Sequence, residues 1–356
     1  MVAIRSLSLF LFLTLSALSL VDAAPQNRAN RGGRNRNSQG ATRGGGQRQK
    51  QATAFQQAQQ IPQGVSTATD GSTILDVTAN VNGLPLRFKV SAPADQFTAD
   101  SGVNGGAQTA GAQGDLGLNV LLHGDGGQSF FDFPNQAVQN GLAGVTVLAP
   151  DPDLFWGGGS GLDRTDGVAH AQAVADLVAD VMPQVLAFNS SRVSFTGVSG
   201  GSLLISGFLM PGHMSQFAGA GKESQILLNC GGLEPQVDVA DADAAALAET
   251  RVHFQSTQQE LSLLQPAIPA AIKAYEQIAT SQGLDAAAVG ALQTVDNSPN
   301  GGHCEFDEKD FVSGVQLMAD SFSAIVQGGD GNLAGTNVNV LNPVVGNEKL
   351  AFSGAS

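Results

Sequence analysis

The chain has 356 residues, with 17 Lys and Arg against 31 Asp and Glu, a formal charge of −14, 42% hydrophobic residues and two cysteines. That length suits one large domain or two small ones, and that apolar content excludes a wholly disordered chain. The acidity argues against general nucleic-acid affinity, and two thiols are too few for a disulfide framework or a four-thiolate zinc site.

Residues 1–23 read as a signal peptide. Arg5 precedes an apolar run from Leu7 to Leu20, and Val21-Asp22-Ala23 places small side chains at the −3 and −1 positions of a cut after Ala23. The run is well short of the ~20 residues a membrane span needs, and no later segment approaches that length, so a secreted, extracellular protein without a transmembrane segment is expected. Export also makes Asn189-Ser190-Ser191 a usable glycosylation sequon.

Residues 24–64 are rich in Asn, Arg, Gln and Gly. They carry Arg28, Arg31, Arg34, Arg36, Arg43, Arg48 and Lys50 and no acid, so the segment is +7 while the chain beyond it is −21. Such a composition buries too little surface to fold, which predicts a disordered, solvated linker free to touch an anionic wall polymer.

Residues 65–356 read as one catalytic domain in which short aliphatic runs alternate with helical patterns, the signature of an α/β fold with a mostly parallel sheet covered on both faces. Ser72 to Val81 and Leu84 to Ser91 form an opening antiparallel pair around Asn82-Gly83. Leu118 to Leu122, Val145 to Ala149, Val193 to Gly197, Ile226 to Asn229, Val252 to Gln255 and Leu292 to Asp296 are the predicted buried strands. The predicted helices are Phe133 to Asn140, Gly167 to Phe188, Ser202 to Leu209, Ala242 to Glu249, Gln265 to Thr280 and Lys309 to Val326. In the longest, Val168, Ala171, Val174, Ala175, Val178 and Met182 make an apolar stripe, and Pro183 should end or kink it.

The chemistry sits where strands end. Ser199 is the centre of Gly197-Val198-Ser199-Gly200-Gly201 between a strand and a helix, the context of a nucleophile elbow. Its hydroxyl and the Gly200 N–H would face a helix N-terminus, where developing negative charge is stabilised. The strand Leu118 to Leu122 ends in His123-Gly124-Asp125-Gly126-Gly127, which places the Asp125 N–H, or failing that Gly126, as the second oxyanion donor. No Gly-Lys-Ser/Thr phosphate loop is present, and the chemistry calls for neither metal nor cofactor.

Of the five histidines, only His303, in the turn Asn300-Gly301-Gly302-His303-Cys304 after the last sheet strand, has the chain position of a general base. For the acid, Glu260 follows the strand Val252 to Gln255 and is preferred. Asp238, Asp241 and Asp296 stay open. Trp156, the only Trp, either lines a substrate groove or packs in the core, and Arg164 has acidic neighbours on both sides that suggest a local ion pair. Cys230 and Cys304 should approach one sheet edge, as a disulfide in an oxidising compartment or as two buried thiols.

Together these residues resemble the α/β-hydrolase superfamily. Asn119 to Gly127, Arg192 to Gly201 and Gly301 to Cys304 are similar to segments of secreted esterases of the polyhydroxybutyrate depolymerase and feruloyl esterase type. Leu121-Leu122-His123-Gly124-Asp125-Gly126-Gly127 and Gly161-Leu162-Asp163-Arg164-Thr165-Asp166-Gly167 are similar to pieces of secreted fungal proteins of this fold. The resemblance covers residues 70 to 325 and implies an α/β-hydrolase fold, a central mostly parallel twisted sheet, a Ser, acid, His triad and ester hydrolysis through an acyl-enzyme. The chain departs from the pattern at the acid, where the Gly-x-x-Asp turn is missing near Glu260. A serine carboxylesterase acting as a monomer on a small or polymeric ester is therefore expected. A non-catalytic binding or effector protein on the same scaffold, and an acyltransferase or peptidase with the same triad, are the alternatives.

Overall fold

The computed structural model describes residues 62–127, 130 and 139–356. The signal-peptide reading, nearly all of the basic segment and most of the Phe133 to Asn140 helix lie outside the described residues.

The described strands form one sheet: β1 (Gly64–Thr67), β2 (Thr73–Val81), β3 (Leu84–Ala92), β4 (Gly117–Leu122), β5 (Leu142–Leu148), β6 (Val193–Val198), β7 (Gln225–Asn229), β8 (Arg251–Gln255), β9 (Gln293–Asp296) and β10 (Asn342–Pro343). Their order is β1-β2-β3-β5-β4-β6-β7-β8-β9-β10. The run from β5 to β9 is parallel, with antiparallel pairs at both ends. This is the mostly parallel sheet expected of the α/β-hydrolase fold. Asn82 and Gly83, both at positive φ, make the two-residue hairpin between β2 and β3.

The central strands are buried along their whole length, as strands covered on both faces must be. Their side chains alternate between two cores. Leu118, Val120 and Leu122 of β4, Phe195 of β6 and Ile226 and Leu228 of β7 join the larger core with helices α1 (Gly167–Asp176), α2 (Gly200–Leu204) and α4 (Leu264–Ser281). Leu121, Val198 and Leu227 point the other way, into a smaller core with Val315 and Met318 of α6 (Phe311–Asp320) and with Phe322 and Ile325. Each fully buried aliphatic or Phe side chain stabilises this arrangement by about 1.5–3 kcal/mol. Two more helices, α3 (Asp241–Leu247) and α5 (Ala286–Leu292), connect strands along the parallel half.

The long predicted helix breaks into α1, a π turn at Leu177–Val181 and a last turn at Met182–Val185 that begins around Pro183. The same sequence of events follows α2: a π turn at Ile205–Leu209 precedes Met210-Pro211. In both, proline lacks the N–H that would continue the ladder and its ring crowds the preceding turn, which a wider turn relieves. Val168, expected in the buried stripe, is exposed. The first turn of α1 meets the core through Gly167 instead, where an added Cβ would stand 2.3 Å from the Phe208 ring. Among the described residues, no helix is long and apolar enough to cross a membrane.

Chain order gives the sheet its crevice. From β4 the chain goes to β5 on one side, and β6 then returns to the other side of β4. The carboxyl ends of β4 and β6 therefore flank a topological switch point, where an open α/β sheet leaves room for a ligand.

Two histidines are fully buried, one at the end of a strand and one in the middle of another. His123 holds the Gly124 carbonyl through Nδ1 and accepts from the Ala149 N–H through Nε2, joining the ends of β4 and β5. His253 in β8 contacts Thr294 and Gln255. Burial pushes both imidazoles down to about 4. They stay neutral in the fold while the unfolded chain takes up protons below about pH 6.5, so their contribution is complete above pH 6.5 and is lost as pH falls toward 4. Each is worth about 3 kcal/mol over that span. Asp296, which burial pushes up, acts in the opposite sense. The urea midpoint is expected to fall from pH 7 to pH 4.5, and His253→Gln to flatten that slope; an unchanged slope would show that the buried ring does not titrate in this way.

Candidate active site

The elbow is built by close approach. Ser199 follows β6 with φ 50° and ψ −114°, a left-handed conformation that strains a non-glycine residue. Its N–H donates to the Asn229 carbonyl at the end of β7, and the Ser202 hydroxyl donates to the same oxygen, so β7 clamps the turn. Helix α2 then leaves so near the sheet that a Cβ on Gly197 would lie 2.6 Å from Ser202 Cα, and one on Gly201 would lie 2.0 Å from the Leu122 carbonyl oxygen. Only glycine fits at those two positions.

His303 Nε2 lies 2.8 Å from Ser199 Oγ. On the other side of the ring, Nδ1 meets Glu260 Oε1. Glu260 is fully buried, and its carboxylate also accepts from the Leu261 N–H at 2.8 Å and the Ser256 hydroxyl at 3.1 Å. With Nδ1–H donated to Glu260, Nε2 is left bare to accept the serine proton. The structure thus brings Ser199, His303 and Glu260 into one chain of hydrogen bonds. The other carboxylates lie elsewhere. Asp238 and Asp241 are exposed, and Asp296 accepts from Gln255 and Ser298 at the end of β9.

The histidine loop is fixed to its surroundings. Gln258 N–H bonds the Pro299 carbonyl, Gln259 N–H the Gly301 carbonyl, and the Thr257 hydroxyl the Gly302 carbonyl, which ties it to the loop carrying Glu260. Cys304 is in a disulfide with Cys230, with Cα atoms 5.1 Å apart, and Cys230 N–H donates to the Gln255 carbonyl. The expected disulfide therefore links the histidine's neighbour to the end of β7.

Opposite Ser199 stands the loop after β4. A Cβ on Gly124 would touch Ser199 Cβ at 3.4 Å, so this loop rests on the serine. Among the described residues, neither the Asp125 nor the Gly200 N–H finds an acceptor in the protein, which leaves both free for an oxyanion. The Asp125 carboxylate is gripped by Arg164 through both oxygens, at 2.9 and 2.8 Å.

Two side chains depart from expectation. Trp156 does not line a groove: it is fully buried, packed between His123 and His170 with ring centroids 5.4 and 6.2 Å away. The segment after β5 lies beside the loop after β4, with Gly126 N–H bonded to the Leu154 carbonyl. Arg164 pairs with Asp125, 39 residues away, and not with its chain neighbours Asp163 and Asp166. Sequence reasoning missed Phe311, a half-buried ring whose centroid lies 6.3 Å from that of His303 and whose edge faces Gly124. The sequence signal was present: an aromatic residue directly after the helix cap Asp310, which accepts from the Ser313 N–H. The sequon Asn189-Ser190-Ser191 forms a surface Asx turn in which Asn189 Oδ1 accepts from Ser191.

No family model matches the chain, and no curated protein matches it. Similar solved structures include a thermostable esterase at 14% identity and TM-score 0.45, covering 71% of this chain and 61% of that one. This chain thus spans under two thirds of that esterase. An esterase from Pyrobaculum calidifontis is 15% identical over 71% of this chain and 85% of that one, with TM-score 0.40. A fungal esterase of Rhizomucor miehei is 13% identical over 78% and 88%, with TM-score 0.44.

The arrangement can activate a serine hydroxyl and hold a developing oxyanion. Fluorophosphonate labelling of Ser199 is accordingly expected to slow by about 10²-fold or more in Glu260→Gln and to change little in Asp238→Asn. The reverse order, read by the rate of probe incorporation, would move the acid.

Proposed function

We propose that the chain is a secreted carboxylic ester hydrolase working through Ser199, His303 and Glu260. The observation that carries this reading is the strained Ser199 at a strand-to-helix turn, hydrogen-bonded to an imidazole whose other nitrogen is held by a buried carboxylate. His303 takes the serine proton as Oγ attacks the ester carbonyl, and the tetrahedral oxyanion is received by the N–H groups of Gly200 and Asp125. The imidazolium, steadied by Glu260, returns the proton to the leaving alcohol. Water, activated by the same His303, then releases the acid. Each oxyanion donor contributes about 3 kcal/mol to such a transition state.

The resemblance of the Asn119 to Gly127 and Gly301 to Cys304 segments to polyhydroxybutyrate depolymerase and feruloyl esterase type enzymes supports esters, small or polymeric, as the substrate class. Phe311 beside His303 and Gly124 supplies an apolar wall for one side of such an ester. Export after cleavage at Ala23, a glycan at Asn189 and a basic N-terminal segment touching anionic wall polymer complete the proposal.

Hydrolysis of a short p-nitrophenyl ester is expected in the purified protein, with kcat lowered on the order of 10⁵-fold by Ser199→Ala. Turnover unaffected by that substitution would sink the reading. For secretion, mass spectrometry of protein recovered from culture medium should find a mature chain beginning at Ala24 and an N-glycosidase-sensitive mass shift on the Asn189 peptide; an intact Met1 terminus on exported protein would count against the cleavage site.

A further inference from the structure

The pair formed by Asp125 and Arg164 is not explained by the triad. Arg164 is almost wholly buried, with 2% of its side chain exposed, against 25% for Asp125. It spends four hydrogen bonds in one place: two on the Asp125 carboxylate, one on the Trp156 carbonyl at 3.0 Å and one on the Gly161 carbonyl at 2.7 Å. The carboxylate it grips is at an awkward position. A Cβ built on Gly200 would stand 2.0 Å from Asp125 Oδ1, so this oxygen fills the space of a side chain on the residue whose N–H faces the oxyanion. A negative charge there opposes the negative charge that an acyl transfer must develop.

Resting on the esterase reading above, we infer that Arg164 is a positioning residue of the oxyanion hole: it neutralises Asp125 against Gly200 and holds the loop whose Asp125 N–H receives the oxyanion. The site then gains a backbone donor from residue 125 without the penalty of its carboxylate. Because the oxyanion exists only in the transition state, losing this compensation lowers kcat and leaves KM nearly unchanged. The same logic makes the damage reversible. With Arg164 gone, removing the charge of Asp125 restores rate, which a purely structural role for the arginine would not allow.

The experiment compares wild type, R164Q, R164K and R164Q/D125N on p-nitrophenyl acetate, with near-ultraviolet circular dichroism as the check on folding. R164Q is expected to lose about 10-fold or more in kcat with KM within about twofold, and R164Q/D125N to regain at least about threefold of that loss. R164K, which keeps the charge and loses the two-pronged grip, is expected to fall between wild type and R164Q in kcat with KM within about twofold. Equal kcat in wild type and R164Q, or a double variant no faster than R164Q, overturns the inference. Should R164Q fail to fold, R164K decides: a fall in kcat of about twofold or more with KM within about twofold supports the role, and a kcat equal to wild type or a loss confined to KM overturns it. A wild-type protein lacking Ser199-dependent hydrolysis brings down the esterase reading and this role together, whereas an active wild type with an indifferent Arg164 brings down this role alone.

Discussion

Everything in the site follows from one steric demand: Ser199 must sit at φ 50° while a strand and a helix pass within contact distance of each other. The strain of such a conformation is of order 1–3 kcal/mol and persists only where the surroundings fix it. Here they do so from three directions. β7 supplies the Asn229 carbonyl, β4 places the Leu122 carbonyl where Gly201 must lack a side chain, and Gly231 leaves room for the Ser199 carbonyl, which a Cβ would meet at 2.7 Å. The elbow is therefore a property of the sheet's central strands, not of the pentapeptide alone.

His303 reaches this fixed point from a loop, and loops are mobile unless tied. The ties are local hydrogen bonds to the Gln258 and Gln259 backbone, the Cys230–Cys304 disulfide and the packing of α6, where a Cβ on Gly314 would stand 2.1 Å from the Cys304 carbonyl oxygen. The loop carrying Glu260 is thus also the histidine loop's partner, so the separation between Glu260 and His303 is set by backbone pairing before the side chains meet. A glutamate reaches the ring from this loop while its second oxygen takes the Ser256 hydroxyl, which keeps the buried carboxylate hydrogen-bonded.

The features legible in sequence are those with local signals. Buried parallel strands read as aliphatic runs, the elbow as spaced glycines, and His303 by its place after the last parallel strand. What escaped lacks such signals. β1 is four exposed residues and β10 is two, so neither shows alternation, and their pairing is decided by the strands beside them. Helix α5 buries only Val289 and so has no stripe, although its cap Asp285 was there to be read. Trp156 could not be assigned to core or groove because a lone aromatic carries no period. The contact of Arg164 with Asp125 spans loops from two different strands, and its nearer carboxylates in the chain were a poorer guide than the fold.

Charge near the serine is arranged in pairs. Glu260 faces the His303 imidazole, which the proposed reaction would make positive, and Asp125 faces a guanidinium that is always positive. In the proposed reaction a developing oxyanion would meet two compensated carboxylates. The body's −21 lies largely on solvated side chains, whose fields fade over about 8–10 Å at ordinary ionic strength. The acidic surface and the site are thus electrically separate, and among the described residues Asp125 and Glu260 each face a basic group of their own.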